Sequence, residues 1–128
     1  MRYVAMHREK GFVVMIDVND FKKIHDNYGH AEGDRALVVI ADSLRCACSS
    51  GFLGRYGGDE FVLIVNDETD MAALVEAIRS EIKKRCSGLP YVISIGVGYE
   101  ALSDDFAHCM ERADQALYLD KARMKKAG

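Results

Sequence analysis

The chain carries no basic excess: 17 lysines and arginines face 20 aspartates and glutamates, a formal net charge of −3. The cationic footprint of a nucleic-acid binder is therefore missing, and a small anion held locally by lysines is the expected partner. No apolar stretch approaches the roughly 20 residues a membrane span needs, and no secretory leader is visible. The expectation is a cytoplasmic domain without membrane contact. Cys46, Cys48, Cys86 and Cys109 show no Cys-x-x-Cys spacing, so neither a zinc site nor a disulfide framework is indicated. Reduced, buried thiols within helical segments are expected. Internal repeats and low-complexity linkers are absent as well. What remains is 128 residues at 49% hydrophobic content, the size and apolar share of one domain with its own core.

The densest chemical signal is Arg55-Tyr56-Gly57-Gly58-Asp59-Glu60-Phe61. Gly51 to Tyr56 and Phe61 to Val65 read as short strands, and Gly57-Gly58 between them reads as a hairpin turn, since glycine tolerates positive φ. Asp59 and Glu60 then stand at the turn or one step past it. Alone, this is a solvated acidic hairpin tip.

A second acidic cluster changes the reading. Gly11-Phe12-Val13-Val14-Met15-Ile16 is a continuous apolar run, the pattern of a strand buried on both faces, and it runs into Asp17. A carboxylate at the exit of a buried strand is costly unless it is hydrogen-bonded, paired or metal-bound. Asn19 or Asp20 is a candidate N-cap for a helical stretch from Phe21 to Tyr28, whose bare first-turn amides suit phosphate. Apolar residues at Leu37, Ile40, Ala41, Leu44 and Cys48 mark a helix from Asp34 to Cys48. Met71, Leu74, Val75, Ile78 and Ile82 mark another, ending near Ser87-Gly88 before Pro90. Tyr91 to Tyr99 reads as a strand and Asp105 to Lys126 as the last helix. This order suits an α+β fold, a mostly antiparallel sheet flanked by helices. His30 reads as a turn residue, Tyr28 and Tyr118 as packing, and His7 and His108 as incidental. Gly29, Gly33, Gly57, Gly58 and Gly96 read as turn or close-approach positions. For Arg55, steadying the hairpin and holding a phosphate both stand.

The run Asp17-Val18-Asn19-Asp20-Phe21-Lys22, then Asp26, Gly29-His30, Gly33-Asp34, Arg55 to Phe61, Ser94-Ile95-Gly96-Val97, and Ala113 to Tyr118 with Lys121 resembles the GGDEF domain of bacterial diguanylate cyclases. The resemblance covers residues 11 to about 125. It implies a palm-like nucleotidyl cyclase fold and the condensation of two GTP molecules into cyclic di-GMP, with Mg²⁺ or Mn²⁺ as cofactor in a homodimer. The alternative it leaves is a weak or inactive domain that binds GTP and regulates an attached domain. It assigns Asp17, Asp59 and the Val18 carbonyl to metal, Asp59 and Glu60 to catalysis, and the Gly57-Gly58 turn to their support. Asp20, Phe21, Lys22, Lys121 and Lys125 fall at phosphate positions, with Asp114, Tyr118, Lys121 and Lys125 along one helical face. Asp34 falls at a guanine-reading position, and its companion, usually Asn, is His25, which offers different hydrogen-bonding geometry. The product-inhibition motif Arg-x-x-Asp would fall at Cys48 and Gly51, so feedback there is expected to be absent. Asp120 replaces a small residue, and Met124-Lys125-Lys126 stands where Gly-Arg-Asn is usual. The segment that normally precedes such domains is not seen, and Met1 to Lys10 reads as the tail of its helix. The chain, 1–128, therefore reads as a single GGDEF domain cut from a longer signalling protein with an upstream sensory domain.

Overall fold

Residues 10–127 are described by a computed structural model, with side chains through Met124. His7, the tail expected before Lys10 and the Lys125 side chain lie outside the described residues. Four strands, β1 (Gly11–Val18), β2 (Phe52–Arg55), β3 (Glu60–Asn66) and β4 (Ile95–Ala101), form one sheet in the order β2-β3-β1-β4. Every neighbouring pair is antiparallel. Helices α1 (Phe21–Tyr28), α2 (His30–Ala47) and α3 (Met71–Arg85) cover one face, and α4 (Phe106–Ala127) covers the other. The two covered faces explain why β1 shows no polar alternation.

Strand parity decides which residues meet the site. Side chains alternate between faces along a strand. Val14, Ile16 and Val18 join Phe61, Leu63 and Val65 in the core beneath α1 to α3, with Ile24, Ile40 and Ile78. Val13, Met15, Val62 and Ile64 pack instead against Cys109, Ala113 and Leu117 of α4. Asp17 and Glu60 pair directly across β1 and β3. By the same alternation both belong to the α4 face.

Glycine brings α4 close. Gly96 and Gly98 of β4 sit opposite Asp17 and Met15. A Cβ at Gly98 would stand 2.1 Å from the Leu117 amide nitrogen and 2.4 Å from the Ala113 carbonyl oxygen, so the helix backbone lies directly on the strand. Beside it, Asp120 is 9% exposed and accepts the Val97 N–H at 2.8 Å. Arg79 of α3 donates to the Ile95 carbonyl at 3.1 Å and approaches Asp120 at 3.5 Å, while Arg123 pairs with the same carboxylate. Asp120 thus satisfies an amide of the edge strand and ties α4 to it. The sequence marked it only as a departure.

Several local expectations are corrected. The last strand begins at Ile95, not Tyr91, because β1 ends at Val18, the partner of Ile95. Tyr91 instead turns its hydroxyl to the Glu32 carbonyl at 2.9 Å and to Glu32 Oε1 at 3.1 Å, and burial with that carboxylate pushes its pKa up to about 12. The second helix begins at His30, one residue after Gly29 (φ 91°). Gly57 and Gly58 hold the turn without positive φ, which among the described glycines occurs at Gly29 and Gly88. Tyr118 is 74% exposed and so is not packed into the core. Of the four cysteines, all free, Cys109 alone is buried.

Candidate functional site

Asp17 is the next-to-last residue of β1, and the chain beyond it turns immediately into α1. Asp20 adopts a left-handed conformation, φ 54° and ψ 33°, and its side chain makes no cap bond. Its carbonyl accepts from Lys23 and Ile24 at 3.0 and 3.3 Å. The expected side-chain cap is therefore absent, and the first-turn amides lack a capping side chain. Amides in that state, at the positive end of a helix dipole, are an anion site in waiting.

Across the sheet, the hairpin carries Asp59 and Glu60 to Asp17. The Val18 N–H donates to the Asp59 carbonyl at 3.2 Å, which joins the turn to β1. Inside the turn, Tyr56 and Gly57 amides bond the Glu60 carbonyl at 2.9 and 3.3 Å. Arg55 braces it from the side: Nε donates to the Gly57 and Gly58 carbonyls, each at 3.2 Å, and Nη2 to Gly58 at 2.5 Å. Of the two sequence readings for Arg55, the structure supports the steadying of the hairpin. A Cβ at Gly58 would meet nothing within 4 Å, which leaves open space at the turn. Arg55→Ala is expected to lower turnover by about 10²-fold through misplaced carboxylates while costing no more than about 1 kcal/mol of stability at this exposed position. Steady-state kinetics beside urea denaturation separates the two effects.

From α4, Lys121 reaches Asp17 Oδ2 with its Nζ at 2.6 Å. Its stem crosses β4 over Gly96, where a Cβ would stand 2.6 Å from Lys121 Cγ. The other oxygen, Asp17 Oδ1, is buried and has no hydrogen-bond partner. Burial raises the Asp17 pKa, the Lys121 ammonium opposes that rise, and nearby Asp59 adds to it. Glu60 is raised by burial and then by Asp17, Asp59 and Asp114, against Lys121.

The sign of these shifts sets a pH dependence. A carboxyl with a raised native pKa binds protons that the unfolded chain has already lost, so stability grows as pH falls through the native values toward the ordinary 3.8 and 4.5. In chelator, Glu60→Gln is expected to melt a few degrees above the parent at neutral pH, on the order of 3 °C per kcal/mol. The gap closes as the pH approaches that of free glutamate. A variant that melts lower than the parent at neutral pH contradicts this reading.

An orphaned carboxylate oxygen beside a second carboxylate is a cation's environment. Among the described residues no three His, Cys, Asp or Glu side chains converge as a complete cage. Asp17, with Asp59 close by, offers hard carboxylate oxygens, and that donor chemistry suits a divalent cation that keeps waters and takes further ligands from a substrate's phosphates.

Next to Lys121 lies a hollow of about 550 Å³ bordered by Asn19, Asp20, Ser94, Tyr118 and Met124. Asn19 steadies its wall: its amide donates to the Ser94 carbonyl at 2.9 Å and its Nδ2 to Ser94 Oγ at 3.1 Å. Both residues lie in motifs the sequence marked, but their bridge was not legible, because an Asn–Ser bond between distant segments has no spacing signature. Lys22 is exposed and does not line this hollow.

Asp34 stands apart, in a groove of about 410 Å³ with Leu37, Leu53, Arg55 and Phe61. The groove's floor is apolar, and Asp34, Arg45 and Arg55 are its charged groups. His25 does not line that groove. It is fixed edge-on against His30, ring centroids 4.0 Å apart, and it leaves no room for a side chain at Gly33, where a Cβ would stand 2.4 Å from His25 Cδ2.

Paired carboxylates on adjacent strands, a lysine beside them and an uncapped helix start make a layout for a nucleotide and a cation. The family profile described as "Diguanylate cyclase, GGDEF domain" matches residues 1–127, and the chain belongs to that family. It is 36% identical over 126 residues to the diguanylate cyclase DgcM of Escherichia coli, covering 94% of this chain and 30% of that protein. The chain thus spans less than a third of that relative. Among solved structures, the GGDEF domain of YfiN from Pseudomonas aeruginosa is similar at 31% identity and TM-score 0.80, covering 95% of this chain and 82% of that one. The GGDEF domain of DgcB from Caulobacter crescentus, solved in complex with c-di-GMP, is similar at 29% identity and TM-score 0.79, covering 94% and 77%. The fold is accordingly the α+β palm of this cyclase family. No helix among the described residues is long and apolar enough to cross a membrane.

Proposed function

We propose that the chain is the catalytic domain of a diguanylate cyclase, condensing two GTP molecules into cyclic di-GMP with release of two pyrophosphates. The observation that carries this reading is the register pairing of Asp17 with Glu60, which brings both acidic motifs and Lys121 to one end of the sheet. Two domains work face to face, each holding one GTP, and each 3′-hydroxyl attacks the α-phosphate of the other nucleotide.

Asp17, Asp59 and the Val18 carbonyl would hold Mg²⁺ or Mn²⁺. Such an ion, when bound, neutralises triphosphate charge and acidifies the attacking hydroxyl. Glu60, whose proton affinity is raised by burial and its acidic neighbours, is suited to accept that hydroxyl's proton. The amides of Asp20 and Phe21 bind phosphate oxygens, with Lys22, Lys121 and Lys125 supplying charge. Asp34 accepts from the N1 and N2 hydrogens of guanine, while His25, at the family asparagine's place in the sequence, lies outside the Asp34 groove. The Gly57-Gly58 turn supports the two carboxylates, and Gly58 leaves it open to the nucleotide.

The test is product formation from GTP with Mg²⁺ or Mn²⁺ at high protein concentration, resolved by chromatography. Cyclic di-GMP that disappears in Asp59→Ala supports the cyclase. Tight, metal-dependent GTP binding with no product, in this chain and in a longer version of the protein, favours the regulatory binder instead.

A further inference from the structure

We infer that in the nucleotide-free protein Lys121 occupies Asp17 as a resident cation and opposes loading of the divalent ion, so that metal and nucleotide enter the site cooperatively. The inference rests on the reading of Asp17 as a metal ligand.

Three observations carry it. Lys121 Nζ lies 2.6 Å from Asp17 Oδ2, a short charge-assisted bond, with 30% and 19% of the two side chains exposed. Its path is built in: the stem runs over Gly96, the cross-strand partner of Asp17, and a side chain at that position would block it. Lys121 also borders the hollow beside the start of α1, so the same ammonium has a second place to go, toward phosphates.

Asp17 Oδ1 is the oxygen left for another cation. A divalent ion there stands within a few ångströms of the ammonium across one carboxylate, in a partly desolvated site where like charges repel strongly. Metal binding alone must therefore overcome Lys121 or expel it. A nucleotide removes the conflict, because its phosphates offer Lys121 a new anionic partner in the adjoining hollow. By linkage, each ligand then strengthens the other.

The test needs no turnover. Mn²⁺ is titrated into nucleotide-free protein and free Mn²⁺ is followed by electron paramagnetic resonance, for the parent, Lys121→Met and Lys121→Arg. Lys121→Met keeps the apolar stem and removes the charge, and it is expected to bind Mn²⁺ about tenfold more tightly, with Lys121→Arg close to the parent. Gly96→Ala, which crowds the same stem off Asp17, is expected to shift affinity in the same direction and serves if Lys121→Met fails to fold. Equal or weaker Mn²⁺ binding in folded Lys121→Met overturns the inference and leaves the cyclase proposal standing. No Mn²⁺ binding by any of these proteins overturns the metal reading of Asp17 along with it. Tightening in Lys121→Met, with no cyclic product from the parent or from a longer version of the protein, keeps the inference and removes the cyclase.

Discussion

Asp59→Ala is expected to lower cyclic di-GMP synthesis by about 10³-fold or more while the domain stays folded. The loss follows from the position of the side chain: Asp59 sits at the turn beside Asp17, and in the proposed metal site its carboxylate would complete a donor set whose charge stabilisation is worth several kcal/mol in a phosphoryl-transfer transition state, about tenfold in rate for each 1.4 kcal/mol. The fold survives because the structural contribution of this residue is made by its backbone. The Asp59 carbonyl receives the Val18 N–H, and alanine keeps that bond. Removing one carboxylate from a crowded acidic cluster also relieves repulsion on Asp17 and Glu60, both of which it pushes upward. Turnover measured beside a melting curve checks both halves. A collapse in melting temperature, or more than about a tenth of parental activity, sinks the assignment of Asp59 to the metal.

The second large effect is on stability, and it separates two glycines that look alike in sequence. Gly98→Ala drives a methyl group into the backbone of α4, 2.1 Å from the Leu117 amide nitrogen and 2.4 Å from the Ala113 carbonyl oxygen. Neither atom can move without the helix. The expected cost is about 3 kcal/mol, the upper end for overpacking and a large share of a typical domain's 5–15 kcal/mol. Gly96→Ala meets Lys121 Cγ at 2.6 Å and Cε and Leu117 Cδ1 at 3.0 Å, all side-chain atoms that can swing aside. Its cost is expected to stay near 1 kcal/mol, while the Lys121–Asp17 bond is lost. Urea denaturation of both variants reads the difference directly. Equal destabilisation would mean that α4 does not bear on β4 as closely as described.

Much of the fold could be read from the chain's apolar pattern. The run Gly11 to Ile16 announced a strand covered on both sides, and the helical spacing of Met71, Leu74, Ile78 and Ile82 announced α3, which spans Met71–Arg85. That helix is capped by Asp70, a residue the apolar spacing did not mark, which accepts the Ala73 amide at 3.1 Å. The boundaries that went astray share a cause. Tyr91 to Ser94 is as apolar and β-branched as a strand, yet the β1 ladder ends at Val18 opposite Ile95, and pairing is a property of two segments. Asp20 carries the composition of an N-cap, but its backbone is left-handed and its side chain makes no cap bond. Gly57-Gly58 signals a turn correctly, although neither glycine adopts positive φ there.

The sequence by itself determined the elements, the family and the roster of acidic and basic candidates, because periodicity, turn chemistry and motif order are local along the chain. Only the tertiary structure decided that Asp17 and Glu60 are cross-strand partners on the α4 face, that Lys121 reaches Asp17 through the gap left by Gly96, and that Arg55 clasps the turn. It also turned Asp120 from an odd substitution into the anchor of an edge strand, and set Asp34 in a groove whose lining excludes His25. These are relations between segments as far as 104 residues apart. They depend on strand register and on how closely a helix settles onto a sheet, and neither is written in the spacing of any one segment.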